Sequence, residues 1–402
     1  MVMIAQFLRT EPQAGATARM TCRSMAFLLL GGLILAAMSL VSTARAEIRL
    51  TDAAGREVRL QQPARRIVTN DSLVLLSLAL VDPQPISKLA GWAAPQRFDR
   101  GLYDAFHRWF PEIDDIAVVG AVSPANSSIE AILGAQPDLF VISIWQPDWD
   151  AIAAKLEAAG VPVIFLDSPR NKGRTAGEAT MASIRLLGRA IGQEARAEAF
   201  AAFLKVHYDR IAQRLESAKT QPRNTWPQVL VDAHAGLQCC STPGADNPIT
   251  HDLAFAGGRV LGADIVPGYD GQLSPEYVLA ADPQVYVGTG GSHLAKRGGL
   301  VLGAGIAPEA ARASLRAVVQ RNLLGELDAV REGRAYGLSH QVAISALNIL
   351  AVECLAKWTH PDLFADLDPE QTLAEINQRF LAAPVEGTFW IDAGPVAGPS
   401  TP

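Results

Sequence analysis

Seven histidines and four cysteines are the side chains of this 402-residue chain best suited to holding a metal or attacking a substrate. Their spacing points to neither role. The histidines are scattered, with no two at the helical separation that would set paired imidazoles on one face. No Gly-x-Ser-x-Gly elbow, His-Glu-x-x-His or Cys-x-x-Cys occurs. Gly288-Thr289-Gly290-Gly291 lacks the Gly-Lys-Ser/Thr ending by which a phosphate loop grips its nucleotide, and reads as a strand-end turn. Cys239 and Cys240 are adjacent and Cys354 is distant. That leaves open a vicinal disulfide, a bridge from one of the pair to Cys354, or three free thiols. The chain is expected not to be an enzyme, to carry no cofactor of its own and to bind no metal through a protein cage.

Non-covalent recognition remains. In open α/β sheets, ligands sit beyond the carboxyl ends of the strands. Residues at or near those ends in the first half include Asn70, Asp71, Trp92, Trp145, Gln146, Ser168 and Arg170. In the second half they include His234, Gln238, Tyr269, residues 289–293, Ser339, His340 and Gln341. The expected ligand-binding set is Asn70, Trp92, Trp145, Gln146, Arg170, His234, Gln238, Tyr269, Ser339, His340 and Gln341. It is rich in aromatic rings, amides and hydrogen-bond donors and poor in acids. Aromatic faces supply contact area and Arg makes bidentate contacts to oxygen, which suits a bulky anionic or oxygen-rich organic ligand. Each Trp has core filling as its competing role, and Arg170 a plain surface position.

The elements that position these residues follow from periodicity. Residues 130–141 read EAILGAQPDLFV and residues 276–287 read EYVLAADPQVYV, sharing Glu, Leu, Ala, Pro and Val at the same offsets. Each begins as a short helix, is stopped by Pro, and continues as an apolar strand. The repeat implies two similarly built lobes, the alternative being chance likeness between αβ units. Before it, residues 48–51 and 58–60 flank Asp52-Ala-Ala-Gly55 as a hairpin. Strands at 66–70, 86–90, 116–119, 139–144 and 163–166 then alternate with helices. Residues 193–219 carry Phe200, Phe203, Leu204, His207, Ile211 and Leu215 on one face, a helix of roughly 40 Å. The fold class expected is α/β: two Rossmann-like lobes with mainly parallel sheets joined by a single long helix. The segments are a signal peptide (1–46), an N-terminal lobe (47–175), a helical spine (176–221), a C-terminal lobe (222–391) and a disordered tail (392–402).

Composition bounds the partners. Charged residues are 19% and the net charge is −6, with no basic run interleaved with aromatics, so nucleic acid is not expected as a partner. Arg19 and Arg23 precede the apolar run 25–41 and then Ala44-Arg45-Ala46, a small-x-small cleavage signature. Cleavage after Ala46 would release a protein beginning at Glu47, expected in the periplasm and monomeric. The competing reading of that run is a membrane anchor.

Five stretches carry a family resemblance: residues 63–70 (PARRIVTN), 130–141, the long helix, 274–288, and LAKW at 355–358 followed by HPDLF at 360–364. Together they resemble a periplasmic substrate-binding protein of an ABC importer, in the class that carries ferric siderophores, haem and cobalamin. The resemblance implies two lobes bridged by one helix, closing slightly on a ligand between them. It implies an inner-membrane ABC permease with its ATPase as partner. It also implies that Glu130 and Glu276, acids at the two helix starts, dock onto permease arginines, a role that helix-dipole stabilisation and surface exposure suit. The cargo expected is a small iron chelate, a ferric siderophore whose own atoms hold the iron. Haem or cobalamin on the same scaffold, and a siderophore-modifying enzyme, are the alternatives.

Overall fold

The computed structural model describes residues 47–143, 146, 148–168, 174–217, 225–321 and 324–394. The expected signal peptide, Trp145, Arg170 and the tail beyond residue 394 lie outside the described residues. Strands β1 (Ile48–Thr51) and β2 (Glu57–Leu60) pair antiparallel as the opening hairpin. Gly55 supplies the positive φ of 74° that the turn needs.

The first half alternates strands and helices: β3 (Ile67–Thr69), α1 (Val74–Val81), β4 (Leu89–Trp92), α2 (Arg100–His107), β5 (Ala117–Val118), α3 (Ile129–Gly134), β6 (Leu139–Ile142), α4 (Trp149–Ala158) and β7 (Val163–Phe165). The sheet order is β5-β4-β3-β6-β7, with every pair parallel. β3, β6 and β7 are buried along their whole length. Continuous apolar strands of this kind are what a parallel sheet covered on both faces requires.

Helix α5 (Ala176–Ile191) starts at a capping box made by Thr175 and Glu178 and ends at Gly192, φ 72°. Helix α6 (Glu194–Ser217) follows at once, 24 residues and about 36 Å long. The two cross tightly: a Cβ on Gly188 would fall 2.2 Å from Ala197 Cβ. Apolar positions recur every three or four residues along α6, burying Ala197, Phe200, Leu204, Tyr208 and Ile211. That face packs against α1 of the first half and against α10 (Asn348–Thr359) of the second.

The second half comprises β8 (Gln228–Asp232), β9 (Ser241–Pro243), α7 (Pro248–Phe255), β10 (Arg259–Val260), β11 (Asp270–Gln272), α8 (Pro275–Ala281), β12 (Val285–Gly290), β13 (Gly303–Ala304), α9 (Pro308–Val319), β14 (Ala335–Ser339), α10, α11 (Pro369–Arg379), β15 (Gly387–Thr388) and β16 (Trp390–Asp392). Its main sheet runs β10-β8-β12-β14-β16, parallel except for the antiparallel edge strand β16. The fold is the expected α/β class with two mainly parallel sheets and one long helix packed on elements of both halves. The ribbon β9–β11, helix α9 and strand β16 are additions to the elements read from sequence. β16 keeps the chain ordered to Asp392, where the sequence reading begins a tail.

Candidate ligand-binding cleft

Three adjacent parallel strands build the second half's side of the site. β8, β12 and β14 are neighbours, and just past their carboxyl ends come His234, His293 and His340. Strands about 4.8 Å apart thus gather imidazoles that lie 59 and 47 residues apart in the chain. The His234 ring lies 4.3 Å from that of His340 and 5.4 Å from that of His293, centroid to centroid. His293 Nε2 and His234 Nδ1 are 3.4 Å apart. Thr289 holds the group from β12: its Oγ1 accepts the His234 amide at 3.1 Å and lies 3.3 Å from His340 Nδ1. His234 takes a left-handed backbone, φ 53°, a conformation a non-glycine residue adopts only when its surroundings enforce it.

Burial pushes all three imidazoles below the ordinary histidine range. For His234 and His293 desolvation is the largest cause. His340 falls furthest, to about 3, through desolvation and then repulsion by His234. At neutral pH the trio is uncharged and free to accept or donate one hydrogen bond per nitrogen.

The first half faces it with Asp71, Arg97 and Asp99. Arg97 sits in the turn after β4 and forks onto Asp71, Nε donating to Oδ1 at 3.0 Å and the second nitrogen to Oδ2 at 3.4 Å. Asp71 is buried and also accepts the Leu73 amide. The guanidinium side chain, 30% exposed, lies within electrostatic reach of His234, His293, His340 and Tyr269. Asp99 caps α2 by accepting the Leu102 amide, and its carboxyl lies beside Ser292 and His293 of the other half. Burial raises it above the usual carboxylate range. Here the halves abut: a Cβ on Gly101 of α2 would collide with the Ala304 carbonyl of β13.

The other expected residues take varied places. Tyr269, at the start of the β9–β11 ribbon and 55% exposed, faces Arg97, Asp167 and Asp71 across the cleft. Gln341 is buried and its Oε1 has no hydrogen-bond partner, as has Ser339 Oγ at the end of β14. Gln146 is half-buried and Gln238 exposed. Asn70 is fully buried, its Oδ1 accepting the Ser143 amide at 2.9 Å, which ties the ends of β3 and β6 together. Trp92 is 2% exposed and packs on Phe98 at 6.0 Å, in the core position that competes with a binding role for any Trp. Trp145 and Arg170 lie outside the described residues.

Arg97 and Asp99 escape the strand-end rule because they stand five and seven residues beyond Trp92. The left-handed turn at Ala94, φ 49°, folds the chain back so that they return to the strand ends. Extending the rule through the whole loop after β4 would have found both. The cleft is consequently less poor in acids than its sequence suggests. Cys239 and Cys240 form a vicinal disulfide packed with the core of the second half, and Cys354 is free and buried. Among the described residues no group of three or more His, Cys, Asp or Glu is placed to cage a metal ion.

Glu130 and Glu276 lie in the first turns of α3 and α8. Both are exposed, and each stands two residues after a serine that caps its helix: Ser128 accepts the Ala131 amide and Ser274 the Tyr277 amide. The sequence repeat is a structural repeat in these capped helix–strand units.

Residues 89–342 match the family model described as periplasmic binding protein. The TroA-like periplasmic binding protein FepB from Veillonella parvula shares 25% identity and a TM-score of 0.75, over 86% of this chain and 99% of that one. The molybdate periplasmic binding protein MolA of Haemophilus influenzae has the same fold at 15% identity, TM-score 0.64, covering 84% and 99%. A cobalamin-binding protein of Halobacterium salinarum is 26% identical over 216 residues, 51% of this chain, and the match spans 54% of that relative's length. The chain belongs to the periplasmic binding protein family.

Proposed function

We propose that this chain is an exported, non-catalytic carrier that holds a ferric siderophore between its two halves and delivers it to an inner-membrane ABC permease with its ATPase. The observation that carries the reading is Arg97. A guanidinium fixed by a buried carboxylate, facing Tyr269 and neutral histidines, offers charge and planar donors to an oxygen-rich anion. The iron's main ligands would come from the siderophore itself. Glu130 and Glu276, exposed on matching capped helices, would steer and dock the loaded carrier onto permease cations. A second reading, cobalamin as cargo, is favoured by the Halobacterium relative.

Protein recovered from the host's envelope under iron limitation tests the proposal. By native mass spectrometry it is expected to begin at Glu47 and to carry an intact ferric chelate. A corrinoid, or a chelate returned chemically altered, would overturn the siderophore-carrier reading.

A further inference from the structure

His207 interrupts the apolar face of α6 between Phe203 and Ile211 and is only 7% exposed. A buried imidazole needs partners for its polar edges. Its Nδ1 donates to Glu353 Oε1 of α10 at 2.7 Å. Glu353 is fully buried and its Oε2 has no hydrogen-bond partner. The Phe203 ring, 4.4 Å from the imidazole between centroids, packs beside it. Held in this way, the ring turns Nε2 away from Glu353, and no group among the described residues bonds to it.

His207 lines a groove of about 590 Å³ between α6 and α11, a volume in the range of small-molecule sites. The α6 wall is an apolar stripe of Ala199, Ala202, Phe203 and Val206, spaced three and four apart, with Val206 59% exposed. From Ala199 to Arg210 this stripe runs about 16 Å. The opposite wall is charged, but its charges are engaged. Glu375 pairs with Arg379, whose guanidinium lies 4.7 Å over the Phe380 ring. Asp368 caps α11 by accepting the Glu370 and Gln371 amides. Arg214 forks onto Asp366 at 2.5 and 2.8 Å, and those bonds lower that carboxyl to about 2. Arg210 differs. It lines the groove one turn beyond His207 and makes no hydrogen bond or ion pair among the described residues, its charge reaching only as far as the Asp366 already held by Arg214.

We propose that this groove is a second binding site, for a monocarboxylate with an elongated apolar body. The carboxylate bridges His207 Nε2 and the Arg210 guanidinium, and the body lies along Phe203, Ala202 and Ala199. To donate to that head, Nε2 must carry a hydrogen while Nδ1 still donates to Glu353. The ring in the complex is therefore an imidazolium between two carboxylates, its added proton coming from solvent or from the acid form of the ligand. Opposite charges on both sides favour that form. A dianionic head fits less well, because Asp366, Asp368 and Glu375 line the same groove. A metal ion is not favoured either, since no group of three His, Cys, Asp or Glu is placed to hold one among the described residues. None of these side chains belongs to the cleft, so occupancy of the groove is measured separately from the cargo.

Sodium decanoate, decylammonium chloride and 1-decanol present one body under three heads, and calorimetric titration of each into the purified protein tests the site. Decanoate is expected to bind at least tenfold more tightly than the other two. Arg210→Ala, at an exposed position, should weaken decanoate at least tenfold, and Ala202→Trp should abolish its binding by filling the α6 wall. His207→Gln combined with Glu353→Gln removes the imidazole without stranding a buried carboxylate, and should also cost at least tenfold. In nitrogen-15 spectra of histidine-labelled protein, decanoate should move one imidazole to the doubly protonated pattern, a change absent from the double variant. A merely structural histidine would not respond. No decanoate binding, equal binding of the three heads, or an affinity indifferent to Arg210→Ala and Ala202→Trp would overturn the proposal. Ferric chelate affinity in Arg210→Ala should stay within about twofold of the wild type, and a larger loss would place Arg210 with the cargo and overturn a separate site.

Discussion

Asp232 ends β8 two residues before His234 and is 1% exposed. Its Oδ2 accepts the Tyr286 hydroxyl at 3.0 Å, and its Oδ1 is buried without a partner. Burial is the largest cause that raises its pKa to about 7; the bonds from Tyr286 and the Ser241 amide oppose it. In the unfolded chain an aspartate titrates near 3.9. Between these values the folded chain keeps a proton that the unfolded chain has released. The stability this confers is full below about pH 4 and is lost as pH rises through 7. A rise of about three pH units corresponds to roughly 4 kcal/mol in all, of which about 2 to 3 kcal/mol disappears between pH 5 and pH 8. Asp232→Asn is isosteric with the neutral acid: its carbonyl can accept from Tyr286 and its amide occupies the place of the protonated oxygen. Urea unfolding of the ligand-free protein, followed by tryptophan fluorescence at pH 5, 6, 7 and 8, compares the two. The variant should exceed the wild type by about 1 to 2 kcal/mol at pH 5 and by about 4 kcal/mol at pH 8. Parallel pH dependences for the two proteins would refute the reasoning.

Two further outcomes follow from the same structure. Reversing both exposed acids, Glu130→Arg with Glu276→Arg, should leave chelate affinity within about twofold while transport falls at least tenfold; a comparable loss of affinity would place these acids in the cleft. Gly188→Val should destabilise the crossing of α5 and α6 by about 1 to 3 kcal/mol, since its Cβ would meet that of Ala197, and an unchanged melting temperature would contradict the tight approach.

Most of the frame was legible in the residues. Short buried strands alternating with helices, the Pro-terminated repeat and the unbroken apolar face of α6 depend on local periodicity, which a single sequence displays. The edge strand β16 was not, because Trp390–Asp392 is only three residues long and pairs with β14, whose last residue, Ser339, is separated from Trp390 by 50 residues. The site divides in the same way. His234 and His340 follow their strands closely enough for the strand-end rule to reach them, but their convergence with His293 depends on the sheet order β8-β12-β14, which no local signal encodes. Arg97 was missed because it returns to the cleft only after a left-handed turn at Ala94. The rule also gathers residues such as Asn70 and Trp92, because strand ends hold core ties as well as ligand contacts, and only burial and hydrogen bonding tell them apart.

The most direct measurement is calorimetric titration of a ferric siderophore panel, haemin and cobalamin into the wild-type protein and Arg97→Ala, with folding of the variant verified first. Removing the guanidinium leaves Asp71 buried without its cation, so a loss of about 2 kcal/mol in stability is expected, below the fully buried range because the Arg97 side chain reaches solvent. The reading predicts submicromolar binding of one siderophore class by the wild type and at least tenfold weaker binding by the folded variant. Tight binding of haemin or cobalamin with no siderophore bound, or a siderophore affinity indifferent to Arg97, would contradict it.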